Sequence, residues 1–515
     1  MKIKLIIWDL DDTLWKGTLA EGDQLELYEH RAEIIRKLNQ CGIVSAICSK
    51  NDYVIARQTL ESMNIWDQFV FPRIVFQPKA SIIKQLIEDM QLRPINVLFI
   101  DDNPHNLNEV KALLTEINIL DANQSNCDEC LQNILEENQH ISKSRIEEYR
   151  ILQAKLDDKQ HQAVSNEEFL RSCDIKAVYA FRMEMLDFVE RIEELVNRSN
   201  QLNYTQSRLE PGSIVEKIID VGHYNTWTIF VWDKYGYYGL VGFMMVARTT
   251  IPKLIHFVFS CRVMHMGIEQ KSLKIAMNMF PNLDISAMIL PMPAMQADWI
   301  EQLDFQNSAI RNHILAKETH FSKKEASIRI MLNCQSGGLA HFSKYREIIE
   351  FDSAPNIFSL PQILSGEHEQ QHYPATLIYG AATDYSDVLW PIHTHTNLNE
   401  HFSHCVTQFC DFIHSKNCKM LVILPPENLS DIQYNIRQNI DYSRSRTIQF
   451  NTIWRENSKK FSSITLLELS ALANPEEAYD VAHYYAGLLK KISHQIDTWY
   501  ESIEKIIREH YVAII

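Results

Sequence analysis

The stretch WDLDDTLW, residues 8 to 15, sets three carboxylates within four positions, directly after the apolar run IKLII. Asp9 and Asp11 stand two residues apart, the spacing at which side chains leaving a strand point to the same side. One carboxylate so placed can attack phosphorus to form an aspartyl phosphate, while the other donates and recovers a proton at the bridging oxygen. Such chemistry also needs positive charge, because carboxylates and phosphate repel one another. The residues that follow hold the other parts. Ser49 is a hydroxyl able to bond a phosphoryl oxygen, and Lys79, in QPKAS, can neutralise its charge. The pair Asp101 and Asp102 can hold a magnesium ion together with Asp9 and the backbone carbonyl of Asp11. Taken alone, WDLDDTLW reads equally well as an acidic turn capping a helix.

A sheet must position these groups. Apolar runs at 3–9, 43–48 and 95–101 predict strands, separated by helical stretches such as HRAEIIRKLNQCG, where Gly42 is placed to end the helix. Buried parallel strands joined by crossover helices follow, with reactive groups beyond the carboxyl ends of the strands. The charged stretch ENQHISKSRIEEYRILQAKLDDKQHQ predicts a solvated helix linking two domains. After it, the helical MLDFVERIEELVNRSN and the runs TWTIFVW, YGLVGFMMVA and LIHFVFSC predict antiparallel strands backed by helices, with a further helix near Gly267. From residue 327 the runs SIRIMLN, ATLIYGA, KMLVILPP and ITLLELS, each followed by helical sequence, predict a second doubly wound α/β domain. The expected organisation is α/β throughout: a first domain over 1–136, a helical linker over 137–163, an α+β domain over 164–315 and a third domain over 327–515.

With 515 residues, 46% of them hydrophobic, the chain is expected to form several globular domains. Lys and Arg total 50 against 66 Asp and Glu, a net charge of -16 that disfavours a phosphate backbone as partner. No apolar run approaches the roughly 20 residues that span a bilayer, and the N-terminal apolar stretch breaks at Asp9. Ten dispersed cysteines suit reduced thiols, so a cytoplasmic location is expected. Cys127 and Cys130 form a lone CxxC, short of a structural zinc site.

The order DLDDT, Ser49, Lys79, then Asp101-Asp102 resembles the four motifs of the haloacid dehalogenase superfamily of phosphotransferases. The resemblance implies Asp9 as nucleophile, Asp11 as general acid and base, and Thr13 and Ser49 as phosphate contacts. It further implies Lys79 as charge clamp, Asp101 as metal ligand, and Asp102 as a second ligand or an anchor for Lys79. The longer strings DLDDTLWKGTLAEGD, AICSKND, FIDDNPHNLNEV, EEFLRSCDIK, LVNRSNQLNYTQSRL and FVFSCRVMHMGIE resemble the FkbH-like glyceryl transferase/phosphatases of polyketide assembly lines. Asp12 and Lys16 depart from the asparagine and glycine usual there. That family's chemistry implies a magnesium-dependent enzyme that takes a glyceryl unit from 1,3-bisphosphoglycerate onto a cysteine, removes the 3-phosphate, and passes the thioester to an acyl carrier protein. Cys48 and Cys261 are the candidate acceptors; Cys48 is also readable as a buried core thiol, because neighbours on a strand face opposite ways.

The middle domain resembles acetyltransferase-like folds of the GNAT type, with Arg262, His265 and Gly267 in the register of their pyrophosphate loop and the first glycine missing. It is expected to dock a carrier protein's phosphopantetheine arm or to be purely structural. NRSNQLNYTQSR could recognise that arm or form a solvated loop. The third domain resembles SGNH-type hydrolases and acyltransferases through Asp480 and His483, a late DxxH string. A base oriented by a carboxylate and aimed at a nucleophile is the logic of a triad. The usual Gly-Asp-Ser is replaced by Asn333-Cys334-Gln335 followed by Ser336, so Cys334 is the expected nucleophile and Ser336 the alternative. In YGAATDYSD, Gly380 matches the oxyanion block and Asp384 is a poor replacement for its asparagine. His393, His395, His401 and His404 cluster in HTHTNLNEHFSH and read as surface histidines rather than metal ligands. Two other functions fit the same motifs: a magnesium-dependent phosphatase of another small metabolite fused to an acyltransferase-like domain, and a scaffold that keeps the folds without turnover.

Overall fold

The computed structural model describes residues 3–140, 144–161, 165–319, 325–351, 360–362, 373–390, 397–436 and 442–512. The chain divides into two compact units, Met1–Ile175 with Trp232–Tyr238, and Lys176–Val231 with Gly239–Ile515.

In the first unit, β1 (Leu5–Trp8) is followed by a small antiparallel pair, β2 (Trp15–Lys16) and β3 (Glu26–Leu27), and then by β4 (Val44–Ser49), β5 (Arg73–Ile74), β6 (Val97–Asp101) and β7 (Asn118–Asp121). The five-stranded sheet has the order β5-β4-β1-β6-β7, and its pairs are parallel. β1, β4 and β6 are buried along their whole length, which is why they read as apolar runs; the edge strands β5 and β7 are short and escaped the pattern. Winding reverses between β1 and β6, the place where doubly wound sheets open a crevice. The charged helix Ile146–His161 is not a free linker. It lays Tyr149, with Ile146, Leu152 and Leu156, on the core formed by Val70, Phe71, Leu86 and Phe99. Its charge pattern describes only the face left to solvent.

The second unit carries two further sheets. The first joins β8 (Lys176–Phe181), β9 (Tyr224–Asp233), β10 (Gly236–Ala247), β11 (Lys253–Phe259) and β12 (Glu301–Leu303) in the order β11-β10-β9-β8-β12. β10 and β11 are antiparallel, but β8 and β12 are parallel, so the sheet is mixed. The other joins β13 (Ile328–Met331), β14 (Ile349–Phe351), β15 (Thr376–Gly380), β16 (Lys419–Leu424) and β17 (Ile464–Glu468), all parallel, in the order β14-β13-β15-β16-β17. Its winding reverses between β13 and β15. The helix Ser336–Phe342 approaches the turn Arg182–Phe188 so closely that a Cβ on Gly337 would lie 2.8 Å from Met183 Cβ, which accounts for the glycine in SGGL. Among the described residues no helix is long and apolar enough to cross a membrane.

Candidate active site

Asp9 follows β1 and Asp101 ends β6, so neighbouring parallel strands deliver two carboxylates to one crevice. Lys79 opens the helix Lys79–Asp89 behind Pro78, which suits a helix entrance. Its ammonium lies 2.8 Å from Asp9 Oδ1 and 2.6 Å from Asp101 Oδ2, and all three side chains are buried. Asn106, on the helix Pro104–Leu113, donates to both Asp101 oxygens at 3.1 and 3.2 Å, and the Asn103 N–H donates to Oδ1 at 2.9 Å. Asp101, expected as a metal ligand, therefore also anchors Lys79, the role left open for Asp102.

Asp9, Asp101 and Asp102 bring carboxylate oxygens within 4.8 Å of one another, and they are the only such group of three found among the described residues. Hard oxygen donors in a cluster with one ammonium suit magnesium. Burial raises the Asp9 carboxyl, Lys79 opposes it and Asp101 adds to it. Burial, with Asp101 and Asp9, pushes Asp102 up to about 6. The Asp9 and Asp102 carboxyls are thus both raised, as burial beside other carboxylates does.

Asp11 contributes no carboxylate to that cluster, so any metal contact from it falls to its backbone carbonyl. Its side chain accepts instead from Asn51 Nδ2, Trp15 Nε1 and the Leu19 N–H, each at 2.9 Å. These three donors fix the orientation of the carboxylate. Asn51, which also donates to Ser49 Oγ at 3.1 Å, was missed in the sequence; its place in SKND, two residues beyond Ser49, is the signal that pointed to it. Ser49 lies near enough to Asp9 to help hold its carboxyl down. The Thr13 hydroxyl is buried without a hydrogen-bond partner among the described residues. Asp12 adopts φ 47° and accepts from the Gly17 N–H at 2.8 Å. Its role is to turn the chain, and an asparagine oxygen would serve equally.

Cys48 is a correction. It alternates with Ser49 along β4, faces the core with Val44 and Ala46, and is 1% exposed. Burial pushes its thiol up to about 12, which disfavours the thiolate that an acyl acceptor needs. Cys127 is likewise a buried core thiol, in the helix Cys127–Asn138, pushed up to about 11 by burial.

The stretch 197–208 is turn and irregular backbone after its first helical residues, exposed at Asn197, Arg198, Asn200, Gln201, Gln206 and Arg208 and buried at its centre. Asn203 is buried, Thr205 and Ser207 hydroxyls meet at 2.8 Å, and Ser207 Oγ lies 2.8 Å from His256 Nδ1. Cys261 is half-buried, its thiol 3.2 Å from Gln201 Oε1. Arg262 is turned back to Ser260 Oγ and the Leu240 carbonyl, His265 takes a positive φ, and Gly267, at φ 87°, precedes the helix Ile268–Met279.

In the third sheet Cys334 follows β13 and lies 3.4 Å from His483 Nε2, whose Nδ1 lies 2.8 Å from Asp480 Oδ1. Ser336 is no nucleophile: fully buried, it accepts from the Leu332 N–H at 3.1 Å and donates to the Asn333 carbonyl at 2.8 Å. Asp384 is also fully buried, accepting from Tyr379 Oη at 2.5 Å and the Leu360 N–H at 2.6 Å, so it offers no oxyanion donor. Gly380 is needed where a Cβ would lie 3.0 Å from Leu332 Cα. His401 packs edge-on against Trp390, no metal cluster includes it or His404 among the described residues, and His393 and His395 lie outside them.

Residues 13–115 match the profile of the haloacid dehalogenase-like hydrolases. The N-terminal domain is haloacid dehalogenase-like. The match begins just after Asp12, so the roles of Asp9 and Asp11 rest on the geometry above. Among solved structures, the N-terminal part of BF1531 from Bacteroides fragilis, containing a phosphatase domain complexed with magnesium, is 21% identical, with 28% of this chain and 41% of that one covered at a TM-score of 0.23. The present chain thus spans less than half of that protein's length. The 3-deoxy-D-manno-octulosonate 8-phosphate phosphatase of Moraxella catarrhalis, solved with magnesium, phosphate and KDO, is 18% identical, covering 27% and 90% at a TM-score of 0.22. The cobalt-bound deoxy-D-mannose-octulosonate 8-phosphate phosphatase of Haemophilus influenzae is 17% identical, covering 27% and 91% at a TM-score of 0.22. No curated protein matches the sequence. The profile match ends at residue 115, before the two sheets of the second unit.

Proposed function

We propose that the haloacid dehalogenase-like domain is a magnesium-dependent phosphatase acting through an aspartyl-phosphate intermediate. The observation that carries this reading is Asp9 held against Lys79 at 2.8 Å beside Asp101 and Asp102, with the Thr13 hydroxyl buried and unpartnered. Asp9 attacks phosphorus; Asp11, fixed by Asn51, Trp15 and Leu19, gives its proton to the leaving oxygen and later takes one from the attacking water. Thr13, Ser49 and Lys79 hold the phosphoryl oxygens. Magnesium, held by Asp9, Asp101, Asp102 and the Asp11 carbonyl, would supply charge neutralisation between nucleophile and phosphate.

The finer reading is that the substrate is the phosphorylated three-carbon unit of 1,3-bisphosphoglycerate, and that the glyceryl group is loaded as a thioester onto an acyl carrier protein. Its support is the set of strings shared with FkbH-like proteins. The burial of Cys48 leaves Cys261 as that reading's acceptor. The test is intact-mass measurement of the full chain incubated with 1,3-bisphosphoglycerate and magnesium. A glyceryl adduct lost in Cys261→Ala supports loading. Phosphate release with no adduct favours the plain phosphatase of another small metabolite, and no release from any phosphate ester leaves the scaffold.

A further inference from the structure

The described residues bring together one more set of reactive side chains, far from the phosphate site in sequence. Cys334 Sγ, both nitrogens of His483 and the Asp480 carboxylate lie in line, at 3.4 and 2.8 Å. The Ala482 and His483 N–H groups both donate to Asp480 Oδ1 at 2.8 Å, so the carboxylate is fixed before it orients the ring. The nucleophile's turn is tied directly to the segment that carries the base. Asn333 Nδ2 donates to the Ala482 carbonyl, and Gln335 exchanges hydrogen bonds with the Tyr484 backbone at 2.7 and 2.9 Å. Gln335 also donates to the Ile219 carbonyl at 3.0 Å. All three side chains are buried, Asp480 at 1% exposed and Cys334 and His483 at 8% and 7%. A cysteine retained for packing needs none of these ties.

We propose that Cys334, His483 and Asp480 form a second catalytic centre, which transfers an acyl group from a thioester donor through an S-acyl-Cys334 intermediate. The proposal is independent of the phosphatase reading. His483 takes the thiol proton, and the Cys334 thiolate attacks the carbonyl carbon. The new C–S bond forms as the donor's C–S bond breaks, and the His483 proton leaves with the departing thiol. A hydroxyl or amine acceptor then gives its proton to His483 and attacks the acyl carbon, which restores the thiol. The donor class follows from leaving-group chemistry: the tetrahedral intermediate of a thioester expels either thiolate with similar ease, whereas that of an oxygen ester returns the cysteine in preference to an alkoxide. The geometry is supported by charge. Burial pulls His483 down, but Asp480 and Cys334 outweigh it and hold the imidazole up at about 9, as a thiolate–imidazolium pair requires.

The experiment incubates the full chain with the acetyl thioester of N-acetylcysteamine, quenches in acid and maps adducts by peptide mass spectrometry. The expected result is one acetyl group on the Cys334 peptide, absent in Cys334→Ala and formed at least about 100-fold more slowly in His483→Ala. Thermal melting confirms that the variants are folded; if His483→Ala melts below the assay temperature, His483→Gln takes its place. An adduct that maps to another cysteine, one that forms as fast without His483, or no adduct on folded wild-type protein overturns the proposal.

Discussion

In the first sheet the winding reverses between β1 and β6, and Asp9 and Asp101 stand at that point; in the third it reverses between β13 and β15, and Cys334 follows β13 there. The two regions obey one topological rule and fill it with opposite chemistry. At the first, Asp9 and Asp101 flank one buried ammonium, and Asp102 lies near enough to share a metal site with them. At the other, a thiol, an imidazole and a carboxylate satisfy one another within the chain. A charged site therefore announces itself by residue type, because few other arrangements keep such groups buried. A hydrogen-bonded triad is recognised by geometry alone.

Five measurements would break or sharpen that contrast. The largest effect is expected from Asp9→Asn, which should lower phosphate release by at least about 10⁴-fold, as losing a nucleophile does; a loss under tenfold in a Mg²⁺-supplemented phosphate assay would remove Asp9 from the chemistry. Next, Lys79→Met leaves Asp9 and Asp101 buried beside each other, and denaturant unfolding should show a loss of about 3–5 kcal/mol, partly restored by added magnesium. A full loss that magnesium does not touch would argue against a cation site.

The third concerns the thiol site. In His483→Gln, alkylation of Cys334 by iodoacetamide at pH 7 should slow by about 10–30-fold, because an unpaired thiol is only a few per cent thiolate there. The same pair predicts a pH dependence. A histidine raised in the folded state from 6.5 to about 9 contributes stability that is fully present below 6.5 and is lost as pH climbs through about 9. The melting-temperature gap between wild type and His483→Gln should thus narrow between pH 7 and 9; a constant gap means His483 does not titrate there. The smallest effect belongs to Asp12→Asn, expected within about 0.5 kcal/mol, since asparagine keeps the bond to the Gly17 N–H and tolerates a positive φ. A large shift would give Asp12 a role that its contacts do not show.

The central strands of each sheet were legible because they are buried on both faces and therefore continuously apolar, whereas β5, β7, β12 and β14 are short edge strands whose pairing is decided by their neighbours. The helix Ile146–His161 looked solvated because its charges outnumber its apolar face; the Tyr149 contact that docks it depends on a core assembled from distant segments.

By itself the sequence determined the inventory and order of the phosphate site, Asp9, Asp11, Ser49, Lys79, Asp101 and Asp102, since charges of these types at strand ends and a helix start have few other uses. Tertiary structure decided direction and partnership. Ser49 and Cys48 are neighbours, yet the pleat of β4 turns one to Asp9 and the other into the core. Cys334 and Ser336 are two residues apart, yet a helix start consumes the serine hydroxyl in backbone bonds and leaves the thiol facing His483. Neither outcome is written in local pattern, because each depends on where a backbone 149 residues away comes to rest or on which face of a strand meets other strands.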